Sequence, residues 1–260
     1  MREFKEITSR ENSLIKLISA LQSSSKARRE NGLFVLEGLR ICSDAFDNGI
    51  GFDKLIVSKT AFEKYRGSVD EFSENADECF LIPDSLFQKI SDTSSPQGIC
   101  ALCRPSAIGE NNIDKNGRYV ALENLADPSN LGAISRTAEA LGASGLILSP
   151  GCCDPYSPKA LRASMGTLLR IPVIIADDFP AALKCAGLHT FACVVDSVAL
   201  PVTSSEFADG CAVIIGNEAN GITDETKSFS DSLITIPMRG KAESLNAAAA
   251  AAIAVWEMLK

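Results

Sequence analysis

Three segments of the chain place glycine beside carboxamide, hydroxyl, carboxylate or guanidinium side chains close to short apolar runs, and these could house chemistry. The first reads E-N-L-A-D-P-S-N-L-G-A-I-S-R-T-A over 123–138. Pro128 and Asn130 can end a loop and cap a helix, and Gly132 lets another backbone come close. Arg136 follows Asn130 by six residues, so both are expected to face one cleft at the helix start, although a plain surface arginine would leave the same signature. The second segment, I-I-G-N-E-A-N-G-I over 214–222, brackets Asn217, Glu218 and Asn220 between Gly216 and Gly221. It reads as a plain turn or as a tight backbone cradle for a flat ligand. The third, I-T-I-P-M-R-G-K-A-E-S-L-N-A-A-A over 234–249, leaves a strand through Pro237 and is expected to enter a helix at Ser244 as N-cap. Asn246 then sits in the first helical turn with no structural task.

Other constellations fail. His189 is the single histidine, in the buried-strand pattern LHTFACVV, so no Ser-His or Cys-His pair exists without it. Cys100 and Cys103 form a C-x-x-C that, on a strand, points to opposite faces, and no second pair completes a zinc site, so no metal is expected. Neither G-x-G-x-x-G nor G-x-x-x-x-G-K-[ST] occurs.

The loops need a scaffold, and the pattern supplies one. A capping box at Thr8 and Glu11 with Leu14, Ile15, Ile18 and Leu21 predicts a first helix to about Gln22. Strands at 33–37, 54–57, 79–82 and 98–103 alternate with helices at 39–46, 61–65 and 84–91, a small α/β domain over 1–104. Residues 105–117 carry Pro, Gly and Asn with no apolar period and read as a linker. Over 118–260, strands at 118–122, 145–148, 171–175, 190–194, 212–215 and 233–236 are spaced by helices at 131–141, 159–168, 179–186 and 245–259. Short β-branched strands between helices imply a mostly parallel sheet covered on both faces, with ligands at the carboxyl ends of its strands.

With 46% hydrophobic and 22% charged residues in 260, the chain can bury an ordinary core, and one large or two small domains are expected. The longest apolar run, 247–256, is too short to span a membrane, and the first ten residues lack a secretory pattern, so a cytoplasmic protein with reduced cysteines is expected. A net charge of −8 argues against holding nucleic acid by bulk charge alone. Residues 1–40 nonetheless hold eight Lys or Arg against five acids, whereas 106–260 hold eleven against seventeen. Lys26, Arg28 and Arg29 form the densest basic cluster, which is either an anion-binding surface or a solvated helix end.

Taken together, the three loops resemble the signature motifs of the SpoU or TrmH family of RNA ribose 2′-O-methyltransferases, within the SPOUT class. The matching text is N-L-G-A-I-S-R-T-A at 130–138, I-G-N-E at 215–218, and Ile236, Pro237 and Met238 followed by Ser244, Leu245 and Asn246. Ala219 departs from the glycine more usual there. Residues 1–104, with S-R-E-N-S-L-I-K and G-L-F-V-L-E-G-L-R, are similar to the L30e-like substrate-binding domain many such enzymes carry. The resemblance implies a trefoil-knotted α/β domain and a homodimer that completes each site with Arg136 from the partner chain. It implies S-adenosylmethionine held around Ile215, Gly216, Asn217, Ile236, Pro237, Met238, Ser244 and Leu245. Arg136 would stabilise the incipient alkoxide or bind the adjacent phosphate, since a guanidinium holds its proton at neutral pH. Glu218 would accept a proton or orient Arg136, and Asn130, Ser244 and Asn246 would hydrogen-bond the ribose and loop backbone. The RNA partner would meet Lys26, Arg28, Arg29 and Arg40. Large-subunit (23S) rRNA is favoured over tRNA by the separate first domain, and a non-catalytic RNA-binding protein is the rival class.

Overall fold

Asn12 starts the first helix, its Oδ1 accepting the Leu14 N–H at 2.9 Å, so the expected Thr8/Glu11 box is not used; Glu11 pairs with Lys16 at 2.7 Å instead. The computed structural model of the chain describes residues 2–105 and 108–260; Ser106 and Ala107, within the expected linker, lie outside the described residues. The chain divides into two compact units, Met1–Pro105 with Tyr156–Leu161, and Ser106–Pro155 with Arg162–Lys260. The excursion at Tyr156–Leu161 has no signal in the pattern that placed a single break at 105–117.

The first unit runs β1 (Phe4–Glu6), α1 (Ser13–Ser23), α2 (Ser25–Asn31), β2 (Phe34–Glu37), α3 (Leu39–Asp47), β3 (Phe52–Ser58), α4 (Lys59–Lys64), α5 (Arg66–Glu74), β4 (Ala76–Ile82), α6 (Asp84–Ile90) and β5 (Ile99–Cys103). Its sheet has the order β1-β4-β3-β5-β2, with β5 antiparallel to β3 and β2 and the other pairs parallel. Leu14, Ile15, Ile18 and Leu21 of α1 bury against Val35, Ile56, Ile82 and Phe87, each large apolar side chain worth about 1.5–3 kcal/mol of burial.

The basic cluster lies on α2, and the structure takes it apart. Arg28 is only 7% exposed, and its guanidinium donates to the carbonyls of Leu21 and Gln22, where it closes the end of α1. The reading of Arg28 as an RNA contact is therefore corrected. It is a buried cation spent on orphan helix carbonyls. Lys26 pairs with Glu30 at 3.7 Å, while Arg29 is exposed.

The second unit runs β6 (Arg118–Leu122), α7 (Pro128–Leu141), β7 (Gly145–Leu148), the end of α8 (Pro158–Ser164, whose part up to Leu161 belongs to the first unit), β8 (Val173–Ile175), α9 (Phe179–Cys185), β9 (His189–Cys193), β10 (Leu200–Pro201), β11 (Cys211–Ile215), α10 (Asp224–Phe229), β12 (Ser232–Thr235) and α11 (Ala247–Leu259). Its seven strands lie in the order β10-β12-β9-β11-β6-β7-β8, and every pair is parallel. The expected helix to Leu168 stops at Ser164 because Met165 (φ +51°) and Gly166 (φ +90°) both turn left-handed. His189 opens β9 exposed rather than buried, its Nε2 3.2 Å from the Ser232 Oγ. Among the described residues no helix is long and apolar enough to cross a membrane.

Arg28→Ala should lower unfolding free energy by about 2 kcal/mol, the scale of a charge-assisted hydrogen bond, whereas Arg29→Ala should leave it unchanged. Urea denaturation followed by circular dichroism checks the pair, and an unshifted midpoint for Arg28→Ala would return that residue to the surface.

Candidate active site

The carboxyl ends of the second sheet, including Leu122, Cys193, Ile215 and Thr235, lie along one edge. From β6 the chain adds β7 and β8 on one side and returns on the other, so strand order reverses between β6 and β11. Open α/β sheets bind ligands at such points.

The loop after β11 folds on itself. Asn217 N donates to Gly221 O at 3.0 Å and Gly221 N returns to Asn217 O at 2.9 Å. Gly216 is required here, because a Cβ on it would lie 2.3 Å from the Gly221 carbonyl carbon. The Asn217 Oδ1 accepts from Ala219 N at 2.9 Å and Asn220 N at 3.1 Å, and its Nδ2 donates to Asn124 O at 2.8 Å. Ala219 thus contributes its main chain and is not among the residues with positive φ, so its methyl group costs the turn nothing.

Glu218 is the centre of the arrangement. Its carboxylate accepts from Ala126 N and Asp127 N, both at 3.0 Å, and from Asn130 Nδ2 at 2.9 Å. Burial pushes the carboxyl up, but the bonds from Asn130 and the two N–H groups outweigh it and hold Glu218 below its ordinary 4.5. A carboxylate so occupied is a poor base, which corrects its expected role as proton acceptor. Among the described residues it makes no hydrogen bond or ion pair with Arg136.

Asn130 passes the linkage on, its Oδ1 accepting from Asn246 Nδ2 at 3.0 Å. Asn246 is the N-cap of α11, accepting from Ala248 N and Ala249 N, so the helix starts there and not at Ser244. Asn130 likewise is not a cap. Asp127 caps α7 through Ser129 N at 2.9 Å, and Asn130 is buried in the first turn.

A cleft of about 440 Å³ opens beside this chain of bonds. Ile215, Gly216, Asn217, Glu218, Ile236, Met238, Ser244 and Leu245 line it, together with Val195 and Asp196 from the loop after β9, which sequence reasoning missed. The only signal there was the continuation of the apolar run past Cys193. Pro237 is exposed and does not line it. Also missed was Glu123, buried at the end of β6 and accepting from Thr223 N at 2.9 Å and Thr223 Oγ1 at 2.7 Å, which anchors the far side of the turn.

Arg136 is not brought to this cleft. Six residues at 100° each put it about 120° around α7 from Asn130, so one side chain is buried and the other exposed. Among the described residues no hydrogen bond or ion pair engages its guanidinium.

Residues 117–256 match the SpoU rRNA Methylase family. The chain belongs to that family. Residues 12–101 match the MRM3-like substrate binding domain. A family relative, the 23S rRNA (guanosine(2553)-2'-O)-methyltransferase RlmP of Bacillus subtilis, is 28% identical over 98% of this chain and 99% of its own length. An AdoMet-bound rRNA methyltransferase from Sinorhizobium meliloti superposes with a TM-score of 0.87 at 29% identity, over 98% of this chain and 97% of that one. The SpoU methyltransferase AviRb of Streptomyces viridochromogenes, in complex with AdoMet, gives 0.81 at 26% over 96% and 97%.

S-adenosylmethionine, the family's cofactor, fits the residues here. The walls are apolar at Ile215, Ile236, Met238 and Leu245, as an adenine face requires, and Asp196 and Glu243 give the lining the sign that suits a sulfonium. Gly216 keeps the backbone close enough to shape the floor.

Glu218→Gln should lower the melting temperature at neutral pH, because it removes the charge and sets an NH₂ donor where one carboxylate oxygen now accepts from an N–H group. The folded Glu218 titrates below its unfolded counterpart, so its contribution is present above about pH 4.5 and lost as pH falls through the folded value. Calorimetric melts of both proteins should therefore converge on acidification; a constant gap would remove ionised Glu218 from the account.

Proposed function

We propose that this chain transfers the methyl group of S-adenosylmethionine to a ribose 2′-hydroxyl of large-subunit rRNA in the cytoplasm. The carrying observation is that the three loops of the SpoU motifs are joined by the Glu218, Asn130 and Asn246 hydrogen bonds beside one cleft. The named relatives that act on 23S rRNA favour that substrate over tRNA.

When bound, the cofactor supplies an electrophilic methyl group on a sulfonium sulfur. Ile215, Gly216, Asn217, Ile236, Met238, Ser244 and Leu245 hold it, with Pro237 setting the course of the chain out of β12. Arg136 meets the 2′-oxygen or the neighbouring phosphate and stabilises the negative charge left on that oxygen as the hydroxyl proton passes to water, before the oxygen takes the methyl group. Glu218 acts as a positioning residue, not as the base.

Because Arg136 is remote from its own chain's cleft, the reading includes a two-fold homodimer in which it serves the partner's. Supporting this, α11 leaves Ile253 39% and Trp256 57% exposed on one stripe with Ala249, an apolar face unusual for a monomer. The trefoil knot implied by the resemblance belongs to the same reading.

Transfer of labelled methyl from S-adenosylmethionine to rRNA lacking the modification, with nucleoside analysis, tests the activity; a methylated base would overturn it. Arg136→Ala should lose about 10² to 10³ in turnover with S-adenosylhomocysteine affinity unchanged. Sedimentation should give twice the 27.6 kDa chain mass, and mixing Arg136→Ala with inactive Gly216→Val should restore partial activity. A fully active monomer would refute the shared site.

A further inference from the structure

The first unit has its own cleft, of about 360 Å³, which the methyl-transfer reading does not use. Ser58, Thr60, Lys64, Tyr65, Asp84, Pro96 and Gln97 are among its lining residues. It lies where the first sheet gathers its carboxyl ends, since β2, β3 and β4 finish at Glu37, Ser58 and Ile82 on one edge and antiparallel β5 begins there. Its volume is within the roughly 300–1,000 Å³ of small-ligand sites.

The wall is built rather than incidental. Asp84 accepts from Ser58 Oγ at 2.7 Å, Thr60 Oγ1 at 3.0 Å and Thr60 N at 3.3 Å, and these bonds keep it ionised. Ser58 N donates to Gly98 O at 2.8 Å, and Gly98 (φ +81°) admits no side chain, because a Cβ would lie 2.4 Å from Ser58 Oγ. The 91–97 loop is tied down by Glu37, which accepts from Asp92 N and Thr93 Oγ1 at 2.9 Å each, as well as from Ser91 Oγ. Gln97 Oε1 accepts from Leu39 N at 2.8 Å, which couples the rim to Arg40 and leaves the Nε2 to donate.

What the cleft offers is specific. Pro96 presents a flat face, Asp84 an acceptor and Gln97 a donor, and Tyr65 offers a ring over which Lys64 holds its ammonium, 5.0 Å from the ring centre. Arg40 is exposed and directly follows Leu39, whose N–H holds Gln97 at the rim, and it is one of the few first-unit cations, with Arg29 and Lys89, that no described residue pairs. Aromatic stacking, a base-edge donor and acceptor, and cations for the backbone are the chemistry by which unpaired nucleotides are held.

We propose that this cleft receives one unpaired nucleotide of the substrate RNA, with its base against Tyr65 and Pro96 and its phosphates on Lys64 and Arg40. The inference rests on RNA being the substrate, and it moves the first unit's RNA contact from the α2 cluster to the carboxyl edge of the sheet.

The test uses the full-length protein and a short, mixed-sequence, single-stranded RNA carrying 5-iodouridine and fluorescein. Irradiation followed by peptide mapping should cross-link Tyr65. In anisotropy titrations, Arg40→Ala with Lys64→Ala should weaken binding about tenfold and flatten the salt slope by roughly 1.4, the value for two lost single-strand phosphate contacts. An unchanged melt and S-adenosylhomocysteine affinity show that the variant is folded. Cross-links confined to other segments, or an unchanged salt slope, overturn the proposal. Failure of the wild-type protein to methylate rRNA would count against the activity alone, because cross-linking reads the cleft independently.

Discussion

The second unit depends on one carboxylate being satisfied. Glu218 gathers two main-chain N–H groups from the loop after β6 and the amide of Asn130, 88 residues away in the chain. Asn130 in turn receives the amide of Asn246, 116 residues further on. Loops pay conformational entropy to be held in one shape, and charge-assisted bonds are about twice as strong as neutral ones, so an ionised end-point suits the task. The residue types follow from direction. Each asparagine must accept with its oxygen and donate with its nitrogen, and the donors run from the first turn of α11 through Asn246 and Asn130 to the charge. Aspartate at either position would remove a donor, and at 130 it would also set two carboxylates against each other.

That economy explains why the cleft is shaped by main chain and apolar side chains rather than by many charged groups. Glu218 is consumed in holding the turn, Asn217 in closing it, and Gly216 in allowing it to close. What remains is a cavity with apolar walls and, about 120° around α7 from Asn130, the exposed arginine to which the proposal gives the chemistry. Within the chain the angular step of the helix keeps Arg136 away from the cleft that Asn130 adjoins. The exposed stripe on α11 gives the proposed second subunit a surface on which to supply the missing guanidinium.

The first unit divides its charge in a comparable way. Most of its cations are tied to neighbouring acids or carbonyls: Lys54 to Asp53 and Glu78, Lys5 to Glu78, and Arg28 to the end of α1. A density of basic residues in the sequence therefore overstates the charge available to a polyanion. The net field is smaller, and its sources are the few cations left without partners.

By itself the sequence determined the alternation of strands and helices, the parallel second sheet and the three loops, because apolar period, caps and glycines are local and survive without neighbours. Strands at 118–122 and 145–148 were legible to the residue, and the motifs carried the family. The tertiary structure decided everything that depends on a partner distant in the chain. Glu218 looked like a base until its lone pairs were seen to be taken. Ser244 looked like the cap until Asn246 was found facing Asn130, and Arg28 looked like part of a surface until the end of α1 closed over it. β1, with only Phe4–Glu6, was unreadable because its stability comes from pairing with β4 rather than from any pattern of its own. In each case the deciding term is a hydrogen bond or a burial between residues far apart in sequence, and local spacing contains no record of it.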